Sequence, residues 1–343
     1  MLRQVALYAA CAWAAAKALE RRVGSGPAAG PTLLDVFVGG TDGYACYRIP
    51  ALLSLGGGRL LLFAEGRHDS CADHGSVDIV ARASSDGGAS WGTLSLVRSQ
   101  GAGVTVGNPA PMLLSNGSVL LAYSVNNTSA ALLLSSDGGA TWSPAGALPV
   151  PPSWTWVATG PPAGLVLASG RLVIPADHND GKSMSAHAFL SDDGGASWRI
   201  STSIADGDES QAVALPWLGA GAVLMSSRSH GARRLAARSD DGGETFGTPW
   251  LTVAENECEA STIALPTHPA GPRLVMSTAL STLRVNMSLL VSDDAGHSWT
   301  PAQQIYAGSS AYSAVVGVAD DAVALAFERD LYARISFVAR VAV

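Results

Sequence analysis

The sequence predicts an all-β protein built as a six-bladed β-propeller, and three observations lead there. Near-identical boxes, SSDGGASW, SSDGGATW, SDDGGASW, SDDGGETF and SDDAGHSW, occur five times along the chain. Their aspartates, Asp86, Asp137, Asp193, Asp241 and Asp294, lie 51, 56, 48 and 53 residues apart. A period near fifty marks a repeat architecture whose unit has room for about four short strands. The third observation is composition: 38 glycines and 18 prolines punctuate many short apolar runs, which suits one large all-β domain.

Each box follows a β-rich run, namely DIVARAS, AALLLSS, SAHAFLS, RLAARS or SLLVS, so each sits at a hairpin turn. Its Asp can bond the turn's own N–H groups, its Gly supplies positive φ, and its Ser or Thr adds a second local bond. The closing Trp91, Trp142, Trp198, Phe246 or Trp299 anchors the turn between neighbours. The boxes therefore read as staples of the fold. From Pro31 to Val343 the chain holds about six such units, one more than there are boxes. The unit without a box falls to the C-terminal strands AYSAVVGVA, AVALAFE and ISFVARV, completed by a strand from the N-terminal region, a closure that removes a free sheet edge.

Residues 31–343 are thus expected to form one propeller domain, with residues 1–30 a separate segment. The apolar run from Val5 to Ala16, flanked by Arg3, Lys17, Arg21 and Arg22, is too short to span a bilayer. It fits a signal peptide, an anchor, or a helix packed on the domain. Sequons at Asn116, Asn126, Asn127 and Asn286 are compatible with secretion. The expected location is the secretory pathway, secreted or lysosome-like, with the cytoplasm as the alternative. Removal of Cys11 with a signal would leave Cys46, Cys71 and Cys258, an odd number with one thiol unpaired.

A hydrophobic content of 48% against 14% charged residues excludes a disordered chain. The net charge of −7, without any block of Lys or Arg, excludes nucleic acid as the main partner. The cysteines lack zinc-site spacing, and no metal or cofactor is expected. Contact with a membrane is expected only through a glycolipid substrate or an N-terminal anchor.

The boxes also serve as a ruler. Thirteen residues before a box aspartate stand Asp73, Asp180 and Arg228, and ten before stands Arg284; at ~3.3 Å per residue this distance reaches the far end of the blade. Sixteen to eighteen residues after a box stand Trp154, Glu209, Glu257, Glu259 and Tyr312. Both phases open on the rim opposite the boxes. Arg48, Arg228 and Arg284 come from separate repeats, in apolar or neutral contexts. An arginine cannot shed its charge, so three converging guanidiniums make a clamp for one carboxylate. Taken singly, each fits a surface salt bridge better.

YRIP at Tyr47 to Pro50, LLLFAEGR at Leu60 to Arg67, DHGSVDIVAR from Asp73, DGDESQAVAL around Glu209, SSRSHGARR around Arg228 and SAYSAV around Tyr312, in this order with the boxes, resemble the exo-sialidase (neuraminidase) family. The resemblance implies a six-bladed propeller in which Arg48, Arg228 and Arg284 bind the sialic acid carboxylate. It implies that Arg67 reaches the O4 side of the sugar and that Glu328, in LAFERD, orients the first clamp arginine. It further implies Tyr312 as nucleophile, Glu209 as its general base and Asp73 as the acid, for retaining hydrolysis of terminal sialic acids on glycoconjugates. A tyrosine suits this sugar because a carboxylate nucleophile would approach the anomeric carboxylate against like charge. Asp69 is a rival for the acid. Glu259 stands where many relatives carry Gln. Asn108, Trp154, Trp156, Asp177 and His178 remain open between acyl and glycerol pockets and ordinary packing. A trans-sialidase, an intramolecular trans-sialidase, or a binding propeller without catalysis are the alternatives on this scaffold.

Overall fold

The computed structural model describes residues 31–254 and 257–343; the expectations for residues 1–30 lie outside them. The described residues form 25 strands and no helix. After β1 (Leu34–Val38), the chain lays down antiparallel sheets in succession. The first holds β2 (Cys46–Gly56), β3 (Arg59–Arg67), β4 (Val77–Ser84) and β5 (Ser95–Arg98); the second holds β6 (Val106–Leu113), β7 (Val119–Val125), β8 (Ser129–Ser135) and β9 (Ser143–Ala147). The third comprises β10 (Trp156–Thr159), β11 (Leu165–Val166), β12 (Leu172–Asn179), β13 (Met184–Ser191), β14 (Arg199–Ile200) and β15 (Ile204–Ala205), with β11 on β12 and β15 on β13 as short flanks. The fourth holds β16 (Gly207–Ala214), β17 (Val223–Ser229), β18 (Arg233–Ser239) and β19 (Trp250–Ala254).

The last sheet has seven strands: β20 (Ser261–Leu265), β21 (Arg273–Ala279), β22 (Val285–Ser292), β23 (Thr300–Ala319), β24 (Ala322–Arg329), β25 (Arg334–Ala342) and β1. Its 20-residue strand β23 has two halves. Up to Ser309 it pairs with β22, and from Ser310 it pairs with β24. The N-terminal strand β1 closes on β25, from Leu34↔Phe337 to Val38↔Arg334. The C-terminal strands and the donated N-terminal strand thus meet as expected. Strand β2 packs against β6 and β23, β12 against β16, β16 against β20, and β20 against β23, so the sheets stand in a propeller-like ring.

The core lies between sheets rather than within one. Leu61, Phe63 and Ile79 of the first sheet are buried together with Leu121, Tyr123 and Leu133 of the second. Inner strands covered on both faces read as near-continuous apolar runs. All five boxes occupy the turn between the third and fourth strands of their sheets, or between β22 and the first half of β23. In each, a Ser hydroxyl (Ser84, Ser135, Ser191, Ser239, Ser292) donates to the box Asp. The same hydroxyl accepts from the second Gly's N–H. The aromatic residue then packs on the adjoining sheet, as Trp142 does edge-on against Phe63 at 5.8 Å. In the fifth box Ala295 replaces the first glycine and still adopts φ +59°.

Candidate active site

At the rim away from the boxes, four inner strands are bulged. Their registers shift between Arg48 and Ala51, Gly107 and Ala110, Gly207 and Ser210, and Ser310 and Ser313. A bulge takes a backbone N–H out of the ladder and re-aims its side chains. Buried glutamates accept several of these freed donors. Glu328 takes the N–H of Ile49 at 2.8 Å and of Tyr312 at 3.2 Å, Glu65 that of Asn108 at 2.9 Å, and Glu259 that of Ser313 at 2.8 Å. Ile49 is held at φ +56°, a costly region for a β-branched residue. Gly107 is required by the close approach of Glu65, whose Oε1 would lie 2.2 Å from an added Cβ.

These bulges bring the predicted residues together. Arg48 donates from Nε and Nη2 to the two oxygens of Glu328 at 3.0 and 3.1 Å, a buried fork-to-fork pair that fixes the guanidinium plane. Its Nη1 reaches Asp73 at 3.1 Å. Arg67 donates to Glu65 at 3.1 and 2.6 Å and to Asp73 at 2.8 Å. Arg228 donates from Nη1 to Glu209 at 2.9 Å and to the Tyr312 hydroxyl at 3.2 Å, and that hydroxyl donates to Glu209 Oε1. Arg284 donates to the Tyr332 hydroxyl at 3.0 Å and lies 5.5 Å from the Tyr312 ring centre. The Arg48 guanidinium lies 4.3 Å from the ring centre of Tyr332 and 5.0 Å from that of Tyr312.

The environment sorts the titratable groups. Burial raises the Glu209 carboxyl above the usual range, although Arg228 pulls it down. Tyr312 is raised well above an ordinary phenol, first by burial and then by the Glu209 charge. A neutral phenol therefore faces a carboxylate of increased basicity. Asp73 shows the opposite balance: desolvation raises it, but the Arg48 and Arg67 guanidiniums outweigh that and hold it below the carboxylate range. Its side chain is 70% exposed, on the loop between β3 and β4. A Cys46–Cys71 disulfide and the Arg67 bond to the Cys71 carbonyl at 2.6 Å tie this loop to β2 and β3. Cys258 is the unpaired, buried thiol among the described residues.

A cleft of about 340 Å³ opens between these groups, lined by Arg67, Asp73, Glu209, Arg228 and Tyr312 and, on its other wall, by Asn108, Trp156 and Asp177. Other residues at the same repeat phases stay outside it. Asp180 caps its own turn through the N–H groups of Lys182 and Ser183. Trp154 stacks on His178 at 3.8 Å, and neither lines the cleft. Asp69 is exposed and also absent from the lining. Glu259 is buried beneath the cleft on Ser313, its carboxyl raised well above the usual range by burial. Among the described residues no group of three His, Cys, Asp or Glu side chains is placed to hold a metal ion.

Three contributors escaped the sequence reading. Glu65 had a usable signal, since it stands two residues before Arg67 on the same face of β3. Arg234, buried with bonds to Ser226 Oγ and to the carbonyls of Cys258 and Ala260, had none beyond its apolar neighbours. Tyr332 comes from a turn in which Asp330, Leu331 and Tyr332 all have positive φ, a conformation without a periodic signature.

Residues 58–325 match the model of the BNR repeat-like domain family. The chain belongs to that family. It is 28% identical to a sialidase of Micromonospora viridifaciens over 86% of this chain and 51% of the relative. It is 27% identical to an exo-alpha-sialidase of Aspergillus fumigatus over 74% of this chain and 69% of the relative. The chain thus spans about half the length of the Micromonospora protein. Among solved structures, the Hadza microbial sialidase Hz136 superimposes with a TM-score of 0.82 at 23% identity, covering 91% of this chain and 68% of that one. The sialidase resemblance drawn from the motifs is borne out, and the BNR repeats of this family member are the five boxes.

Proposed function

We propose that this chain is a retaining exo-α-sialidase on a six-bladed propeller spanning residues 31–343, with the halves of β23 belonging to two blades. The observation that carries the activity is the Tyr312 hydroxyl, hydrogen-bonded to Glu209 and flanked by Arg228 and Arg284. A pure binding site for an anionic sugar needs the arginines but has no use for a phenol paired with a base. Arg48, Arg228 and Arg284 bind the sugar carboxylate, and Arg67 faces the ring on the side of Asp73.

In the first step the Tyr312 oxygen bonds to the anomeric carbon, its proton passes to Glu209, and the glycosidic bond breaks as Asp73 gives its proton to the leaving oxygen. In the second, Asp73 takes a proton from water, which attacks the same carbon while Tyr312 leaves and regains its proton from Glu209. Two inversions give net retention. The free site holds Asp73 ionised, and substrate supplies the remedy. Its carboxylate takes over Arg48 and adds a negative charge, and both changes raise Asp73. Binding thereby arms the acid.

The test is release from a fluorogenic α-sialoside, with the product anomer followed by NMR. Initial release of the α anomer is expected, and initial β anomer defeats the retaining reading. The Cys46–Cys71 bond supports a secretory route, because such bonds persist in oxidising compartments. Mass spectrometry of alkylated protein from the native host tests this, and free Cys46 and Cys71 would reject it.

A further inference from the structure

The loop that carries Asp73 is held from outside the cleft. Residues 68–74, between β3 and β4, are exposed, and the loop backbone has few partners. The His68 N–H donates to the Ser76 carbonyl at 3.1 Å, closing the base of the loop, and the Gly75 N–H donates to the Thr105 hydroxyl at 3.1 Å. Cys71 is fixed twice. Its sulfur is bonded to Cys46, the buried residue that opens β2 and pairs across the ladder with Arg67. Its carbonyl accepts from Arg67 Nη1 at 2.6 Å, and the same nitrogen donates to Asp73 at 2.8 Å. The disulfide therefore joins two short stretches of chain, one leading to Arg48 and the other to Asp73, each two residues beyond its cysteine.

In the free site Asp73 also rests on Arg48 at 3.1 Å. In the proposed reaction the sugar carboxylate takes Arg48 away from it, and protonation weakens its remaining charge-assisted bond to Arg67. When the acid has to stand against the leaving oxygen, the charges that hold it in the free site are gone or weakened. The covalent tether is untouched by either change. We propose that the Cys46–Cys71 disulfide is the positioning element of this acid, holding the Asp73 loop over the cleft once substrate has taken Arg48, so that turnover of unactivated glycosides depends on the oxidised pair. The inference rests on the sialidase reading and deepens it. Without the bond an exposed loop regains conformational freedom, and ordering it in each turnover slows the step that needs the acid. The dependence is steep, since a displacement of about 1 Å at a reacting group costs about 10²-fold in rate.

Leaving groups separate this role from a general loosening of the site. A sugar alcohol needs a proton as the bond breaks, whereas methylumbelliferone needs little, and kcat/KM covers the steps up to the sialyl intermediate. Dithiothreitol opens the bond: one thiolate attacks the sulfur of the exposed Cys71 and displaces Cys46, which takes up a proton. The second thiolate of the reagent then releases Cys71, so two electrons pass from the dithiol, which becomes a cyclic disulfide, to the two cysteines. Reduction, confirmed by mass spectrometry of the alkylated Cys46 and Cys71 peptides, is expected to lower kcat/KM about tenfold or more on 3′-sialyllactose and less than about threefold on methylumbelliferyl α-sialoside. Reoxidation should restore both. In Asp73→Ala, which lacks the acid, reduction is expected to make no further difference between the two substrates. The Cys46→Ala/Cys71→Ser variant should match reduced wild type; if it does not fold, reduction of the folded wild type decides. Equal losses on both substrates, no loss after confirmed reduction, or a selective loss that persists in Asp73→Ala would overturn the assignment and leave the activity standing. Turnover of neither substrate by oxidised wild type would reject the activity, and this role with it. The tether itself is read without turnover by hydrogen exchange over residues 68–76, which reduction must speed about tenfold or more; unchanged exchange rejects it.

Discussion

The two rims of this molecule are built from the same repeat and behave in opposite ways. At the box rim the repeated aspartates are satisfied within a few residues: Asp137 accepts from Ser135, from the Thr141 N–H at 2.9 Å and from the Thr141 hydroxyl at 2.5 Å. At the other rim the partners lie far apart in sequence, 280 residues for Arg48 and Glu328 and 103 for Tyr312 and Glu209. Local bonds can be copied from blade to blade, and they are. Long-range bonds differ from blade to blade, so the same phase yields an arginine, a carboxylate or a tyrosine. Repeated local bonds are distributed around one rim, and long-range charged contacts are concentrated on the other.

The largest effect that separates the rims should come from Tyr312→Phe, which removes the proposed nucleophile and leaves the packing. A fall in kcat of about 10³-fold or more is expected at an unchanged melting temperature. Near-normal turnover would remove Tyr312 from the chemistry. Asp73→Ala should lose about 10²–10⁴-fold on natural glycosides and less on aryl sialosides, whose leaving groups need little protonation. If both substrate classes fall equally, Asp73 is not the acid.

Glu328→Ala breaks the contrast from inside, because this residue is both a buried ion-pair partner of Arg48 and part of the proposed site. Leaving Arg48 buried without its partner is expected to cost about 3–5 kcal/mol, measured by urea denaturation. It should also release the Ile49 and Tyr312 backbone donors, so activity per folded molecule falls as well. A loss of stability alone would show that other contacts hold Arg48 in place.

Changes at the box rim should be smaller and silent in catalysis. Asp137→Ala removes several hydrogen bonds and should lower the melting temperature slightly, with kcat/KM unchanged. Hydrogen bonds from Ser90, Thr141 and Ser197 hold Asp86, Asp137 and Asp193 down to about 2. Their folded values lie below the unfolded value of about 3.9, so their contribution is fully present above pH 4 and is lost as pH falls toward 2. Circular dichroism between pH 4 and 2 should show Asp→Asn variants with a flatter decline than wild type. The smallest effect is expected from Ala295→Gly, which relieves a left-handed alanine at the cost of a freer unfolded chain; a net gain of about 0.5 kcal/mol would register as a slightly raised melting temperature.

Much of this was legible from the residues because it is periodic. Five boxes at near-fifty spacing located the turns. The phases opposite them pointed to Asp73, Glu209, Arg228, Arg284 and Tyr312, and the ordered motifs added Arg48, Arg67 and Glu328. Phase alone also pointed to Asp180 and Trp154, which cap a turn and stack on a histidine. A repeat phase fixes how far along a blade a residue stands, but not whether its side chain turns into the axis.

That direction is set by the bulges at Arg48, Gly107, Gly207 and Ser310, and at three of them a buried glutamate accepts a freed N–H, whereas at the Gly207 bulge the Ser210 N–H goes to the Gly160 carbonyl. The sequence by itself determined the unit, its number of boxes and the set of charged residues at one end. Only the tertiary structure decided that Asp73 rests on Arg48 and Arg67, that Tyr332 completes the arginine cluster, and that Asp177 is buried against the Trp156 indole. The physical reason is range: turn chemistry closes within about eight residues and leaves a motif, whereas a buried charge is defined by partners from other blades and leaves none.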